Sequence, residues 1–161
     1  MGGFLMAATA ASADVPKPTA PVRANSADVK KLLAEAQTAM KSGNFRLALI
    51  KLKNVVQVAP SNNDARIQLG VVLFQGGDQA GAEREIRQAW KGGASDATAL
   101  PYLFKFMLAQ QKYQELVDEF SDPGASTTPM TPNILKARAF ALQRLGRPQE
   151  AVDAADRKSV V

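Results

Sequence analysis

The sequence predicts an all-α fold in which antiparallel helix pairs stack side by side, about 3.5–4 pairs in all. Three observations point there. Gly43, Asn44, Phe45 and Ala48 return thirty-four positions later as Gly77, Asp78, Gln79 and Ala82, and Leu52 with Ile86 and Val55 with Ala89 keep the same offset. A fixed period of this length marks stacked supersecondary units, each too small to bury its own apolar face. Between the repeated turns the apolar residues fall at helical spacing, most clearly Leu49, Leu52, Val55 and Val56. Clusters of Gly, Pro, Ser and Asn then break the chain at helix-length intervals. An architecture of this kind points to a binding scaffold rather than a catalyst.

The elements follow in order from Asp28. A first helix is predicted over 27–42, with Ser26 as N-cap and Gly43 as its stop, and a second over 45–58. Pro60 and Ser61-Asn62-Asn63 interrupt the chain, and Asn63 or Asp64 can cap a third helix over 64–75. Gly76-Gly77 turns it into a fourth over 79–91, which Gly92-Gly93 ends without strain because glycine reaches left-handed dihedrals freely. A third unit has helices over 98–110 and 113–120, with Gln111-Lys112-Tyr113 standing where the Gly-Asn-Phe turn stood. Residues 121–132, rich in Ser, Thr, Pro and Gly, read as a loop. A fourth unit follows over 133–145 and 149–158 around Gly146-Arg147-Pro148, thirty-five residues past Gln111, so the register survives one insertion.

These residues carry a resemblance to the tetratricopeptide repeat family over about residues 28–158. The family's small residue in the first helix of each pair, helix A, matches Ala36, Gly70 and Ala139. Its Gly-Asp-Tyr-like turn matches Gly43-Asn44-Phe45 and Gly77-Asp78, its small residue early in the second helix, helix B, matches Ala48, Ala82 and Ala151, and its closing proline matches Pro60. Small residues belong where paired backbones approach most closely. Phe104 and Leu116 depart from that pattern in the third unit, and Ala94 replaces the second proline. The resemblance implies a right-handed solenoid. The stretches 47–56 and 108–116 also resemble the repeat proteins of the PEP-CTERM/exosortase exopolysaccharide system, which implies a periplasmic role in polysaccharide assembly or export.

In this family the A helices line a concave groove that takes a protein or peptide ligand. Carried over, the groove residues are Lys30, Leu33, Gln37, Met40 and Lys41 in the first unit, and Ile67, Val71, Phe74 and Gln75 in the second. Lys105, Leu108 and Ala109 follow in the third, and Lys136, Phe140, Gln143 and Arg144 in the fourth. Val71, Phe74 and Phe140 among these cations suit an amphipathic peptide or helix, although Val71 and Phe74 equally suit packing between units. The carboxylate clamp of chaperone-binding members is not matched, since Leu33 and Gln37 occupy positions that should hold Lys and Asn. Tyr102, Phe104 and Phe106 could stack on sugar rings, but neighbouring helical positions point in different directions and core filling is the simpler expectation. Trp90 is expected to cover the joint between the second and third units.

Composition narrows the chemistry. The 161 residues contain no Cys and no His, which excludes disulfides, Cys/His zinc sites and thiol- or His-based nucleophilic catalysis. No motif pairs a nucleophile with a base, so no catalytic, cofactor or metal residue is assigned. The net charge of +5 is spread along the chain, as on an ordinary solvated helical surface, and no nucleic-acid partner is inferred from it. No run of about 18 apolar residues is present, so no membrane span is expected.

Residues 2–10 form a short apolar stretch ending in Ala11-Ser12-Ala13, a small-x-small pattern that resembles the rear of a secretory signal cleaved after Ala13. No Lys or Arg precedes it. Residues 14–26, with three prolines in VPKPTAP and its surroundings, read as a disordered linker. The expectation is therefore a periplasmic or secreted scaffold, the alternatives being a cytoplasmic adaptor or a polysaccharide-binding module. After Ala151, Val152, Ala154 and Ala155 only Arg157-Lys158-Ser159-Val160-Val161 follow, with no polar capping helix. That ending predicts continuation into further repeats, or self-association at the C-terminal end.

Overall fold

The computed structural model describes residues 25–120 and 131–156. Its elements are α1 (Ser26–Lys41), α2 (Phe45–Val58), α3 (Asn63–Gln75), α4 (Gln79–Lys91), α5 (Asp96–Ala109), α6 (Tyr113–Glu119), α7 (Pro132–Arg144) and α8 (Pro148–Asp156). No strand occurs among the described residues. Each odd-numbered helix packs on the helix that follows it, and α2, α4 and α6 then pack on the first helix of the next pair. The A helices also touch each other, α3 with α5 and α5 with α7. This is a helical-repeat solenoid: one layer of A helices, one of B helices, and a core between them that runs the length of the stack. The expected signal remnant at 1–13, the linker to residue 24, loop residues 121–130 and everything beyond Asp156 lie outside the described residues.

The repeated turn is explained by its hydrogen bonds. Gly43, Gly77 and Gly146 all have positive φ, at 75°, 86° and 73°. After each of them the next residue's N–H reaches five residues back: Asn44 to the Ala39 carbonyl at 2.8 Å, Asp78 to Leu73 at 2.9 Å and Arg147 to Leu142 at 2.9 Å. This is the Schellman closure, which satisfies carbonyls that the helix end leaves open. In the first two turns the next residue is at once an N-cap, Asn44 accepting from the Leu47 N–H at 3.1 Å and Asp78 from the Gly81 N–H at 2.8 Å. A Gly-Asn or Gly-Asp pair thus ends one helix and starts its partner within two residues. Gln111 takes the same position with φ 58° and keeps the closure, Lys112 N–H to the Met107 carbonyl at 3.0 Å. A side chain there costs roughly 1–2 kcal/mol that glycine avoids.

Several boundaries differ from expectation because a different residue caps. Asn25, not Ser26, accepts from the Ala27 N–H, so Ser26 is the first helical residue and the predicted linker ends one residue earlier. Asn62 caps α3 through the Ala65 N–H at 2.9 Å, and Asn63 instead donates to the Gly92 carbonyl at 2.9 Å, tying the start of α3 to the end of α4. Helix α5 begins at Asp96, two residues before the expected start, with Pro101 inside it on an exposed face. Helix α7 takes Pro132 into its first turn, where proline lacks an N–H the helix would not use.

Close approach accounts for the small residues. Ala36, Ala48 and Ala82 are fully buried, and a Cβ added at Gly70 would lie 3.1 Å from the Ala82 carbonyl oxygen and 3.1 Å from the Ile86 side chain. In the third unit that spacing is relaxed. Phe104 and Phe120 meet edge to face at 5.0 Å, and α5 and α6 touch least of the four pairs. Trp90 sits at the expected joint: its indole N–H donates to Asp96 at 2.7 Å and its ring lies 6.0 Å from that of Phe120.

Candidate ligand-binding face

Since the B helices cover one side of the A layer, the other side is the surface on which the A helices can meet a partner. Lys30, Gln37 and Lys41 are exposed on α1, Gln75 on α3, Lys105 on α5, and Lys136, Phe140 and Arg144 on α7. Val71, Phe74 and Leu108 are half-buried and pack against the core. Ile67 is only 7% exposed, which removes it from the groove set and makes it a core residue. Its neighbours on α3 explain this, because Ala65, Leu69, Gly70, Val72 and Leu73 are buried too and the helix is enclosed on most of its circumference.

Two pairs of candidate residues come together. The Lys105 ammonium lies over the Phe74 ring at 5.4 Å, joining α5 to α3 across the unit boundary. Phe74 in turn stacks on Phe106 at 4.5 Å with the rings 15° from parallel, and Tyr102 lies 6.3 Å from Phe106. On α7 the Arg144 guanidinium covers the Phe140 ring at 5.4 Å, where Phe140 remains 43% exposed. Each is an apolar ring with a cation above it, a combination that receives a side chain apolar at one end and anionic at the other. Phe104 and Phe106 are buried as core filling requires, at 5% and 1% exposure, and point to different neighbours. Sequence reasoning missed that Phe106 supports Phe74. The signal was present in the period: Phe106 lies thirty-four residues after Val72, an inward position, so its ring had to meet the preceding unit.

The charges on the A helices are sorted. Asp28, Asp64 and Asp96 occupy the first turns of α1, α3 and α5, where acids favour the helix dipole, and α7 has no acid at all. Glu35 is bound to Lys51 at 2.6 Å. The middle and C-terminal parts of the A layer therefore carry Lys41, Lys105, Lys136 and Arg144 without an acid beside them on the same helices.

Behind this layer a buried carboxylate links the second and third units. Glu83, 6% exposed, accepts from Lys112 at 2.9 Å, from Arg87 at 2.7 Å and from Gln110 at 2.9 Å. Arg87 continues to Glu119 at 2.6 Å. Burial pushes the Glu83 carboxyl up, but the hydrogen bonds from Lys112, Arg87 and Gln110 outweigh it and hold the group below the usual carboxylate range. Among the described residues no group of three or more Asp and Glu gathers in a metal-binding arrangement, and no helix is long and apolar enough to cross a membrane.

Comparison with known families agrees with this geometry. Residues 33–98 match the tetratricopeptide repeat family. The matched span runs from α1 into the first turn of α5, so it contains the second helix pair whole and most of the first. No curated protein matches the chain. Beyond residue 98 the turn geometry of the matched pairs recurs at Gln111 and Gly146. Tetratricopeptide solenoids offer extended surfaces on which other proteins can bind.

Proposed function

We propose that the protein is a non-enzymatic scaffold that holds an amphipathic segment of another protein, acidic on its polar side, against the exposed face of the A helices. The observation that carries this reading is Lys105 poised over Phe74 where Phe74 rests on Phe106. An apolar ring with a cation over it, built from two units at once, fits a segment that lies across the stack. Phe140 under Arg144 repeats the motif on α7. A polysaccharide ligand draws less support, because Phe104 and Phe106 are buried and leave no flat aromatic platform.

A fluorescent helical peptide with Leu along one face and Glu along the other is the appropriate probe, read by anisotropy. The Lys105→Glu, Arg144→Glu double variant should weaken its binding roughly tenfold or more, about the worth of two partly desolvated ion pairs. No binding to the unaltered protein overturns the reading. Equal binding by the variant moves the site elsewhere.

The scaffold reading is extended to the periplasm by the residue pattern at 1–13, and to exopolysaccharide assembly or export by the resemblance of 47–56 and 108–116. Mass spectrometry of the mature chain from its native host should find Asp14 at the N-terminus. Retention of Met1 or Gly2 would place the same scaffold in the cytoplasm as an adaptor.

A further inference from the structure

The repeats supply their own control for what the outward face of a B helix requires. Helix α2 exposes three large apolar side chains, Phe45, Leu47 and Ile50 at 41%, 40% and 51%, of which Leu47 and Ile50, three residues apart, share its outward face. At the register position of Leu47 the later units carry Gly81, Glu115 and Glu150, and at that of Ile50 they carry Arg84, Asp118 and Asp153. The fold therefore tolerates small or charged residues at both places, and the exposed Leu and Ile of α2 are not needed for packing. Exposed apolar residues gathered on one helix mark a contact surface.

Charge says what the contact is. Helix α2 carries Arg46, Lys51 and Lys53 and no acid. Helix α4 is mixed, while α6 carries Glu115, Asp118 and Glu119, and α8 carries Glu150, Asp153 and Asp156, neither with a cation. Within the described B helices charge thus passes from positive on α2 to negative on α6 and α8, ahead of Arg157 and Lys158 in the sequence. Lys51 is held by Glu35 and Glu150 by Arg147, while Arg46 and Lys53 are exposed on α2 and Asp153 on α8, where among the described residues it accepts from Gln149 at 3.4 Å. The acidic end has its own apolar element, Val152, 52% exposed. Its register equivalents Glu83 and Val117 are buried.

We infer that a second copy of this chain covers α2, docking its acidic α8 surface so that Val152 meets Leu47 and Ile50 while Asp153 meets Arg46 or Lys53. Both halves of the contact are present on one chain, with opposite charge and an apolar centre each. Because they lie on different helices the contact is heterologous, and each added copy leaves a free α2 and a free α8. Association is open-ended and weakens with salt. This inference uses the B helices and does not depend on the peptide-binding face.

Sedimentation velocity of the full chain, over rising concentration and at low and high salt, tests it with two charge-reversed variants. Arg46→Glu with Lys53→Glu gives a chain acidic at both ends, and Glu150→Lys with Asp153→Lys gives one basic at both. All four positions are exposed, so both variants should fold, which circular dichroism verifies. The unaltered protein should grow with concentration past the mass of two chains at low salt and shrink at high salt. Each variant alone should remain monomeric, and an equimolar mixture should associate again. A monomer at every concentration overturns the inference, and is the result expected if residues 1–24 of the same chain, or another partner, cover α2 instead. Association that survives either reversal, or a mixture that stays monomeric, overturns it as well.

Discussion

Replacing Phe106 by alanine should lower the unfolding free energy by about 3–5 kcal/mol, the range for removing a buried aromatic ring. The ring is 1% exposed and stacked on Phe74, which belongs to the preceding unit. It is therefore part of the seam between the second and third units as well as part of the core. In a solenoid stability is a sum of unit terms and nearest-neighbour seams, so weakening one seam should also reduce cooperativity. Urea unfolding followed by circular dichroism should show an earlier midpoint and a shallower transition for Phe106→Ala. Phe106→Leu, which keeps most of the volume, should cost only about 1–1.5 kcal/mol. The same truncation removes the support under Phe74, and with it the position of Lys105, so peptide affinity should fall even where the variant is fully folded. An unchanged midpoint would mean that the ring does not join the two units.

The sequence carried the fold at the turns and lost it where packing decides. Gly43-Asn44 and Gly77-Asp78 state a left-handed residue and a cap in two letters, and α2 and α4 begin and end where those letters and the period place them. Where several residues compete to cap, as in Ser61-Asn62-Asn63-Asp64, the winner depends on what the losers can do elsewhere. Asn63 is drawn off by the Gly92 carbonyl of the neighbouring helix, a bond across twenty-nine residues that no local pattern contains. The candidate face was legible as a set of positions but not as a set of contacts. Family register pointed to Phe74 and Lys105 separately; their meeting depends on how far α5 lies from α3, which Phe106 sets. Ile67 shows the opposite failure, a groove position by register that is enclosed because α3 has a neighbour on each side.

Glu83→Ala should cost about 2–3 kcal/mol at neutral pH, less than the 3–5 kcal/mol of a fully enclosed ion pair. The reduction follows from its partners, since the Arg87 and Lys112 side chains keep 25% and 32% exposure and can turn to water when the carboxylate is gone. The register makes the residue unusual. Its equivalents are Leu49, Val117 and Val152, so an aliphatic side chain is what this position otherwise holds. Glu83→Leu should therefore lose less than Glu83→Ala, because it fills the space and leaves Arg87 with Glu119 and Lys112 with Glu115. The sign of the pH dependence is fixed by the direction of the shift. The folded carboxyl titrates below the unfolded one, so its stabilisation is complete above the unfolded value of about 4.3 and is lost as pH falls through the folded value. The stability gap between the unaltered protein and Glu83→Gln should accordingly be widest near pH 7 and close progressively below about pH 4.5. Urea midpoints for both proteins at pH 7, 5, 4 and 3 measure it. Curves that stay parallel down to pH 3 would mean that Lys112, Arg87 and Gln110 do not favour the charged form of Glu83.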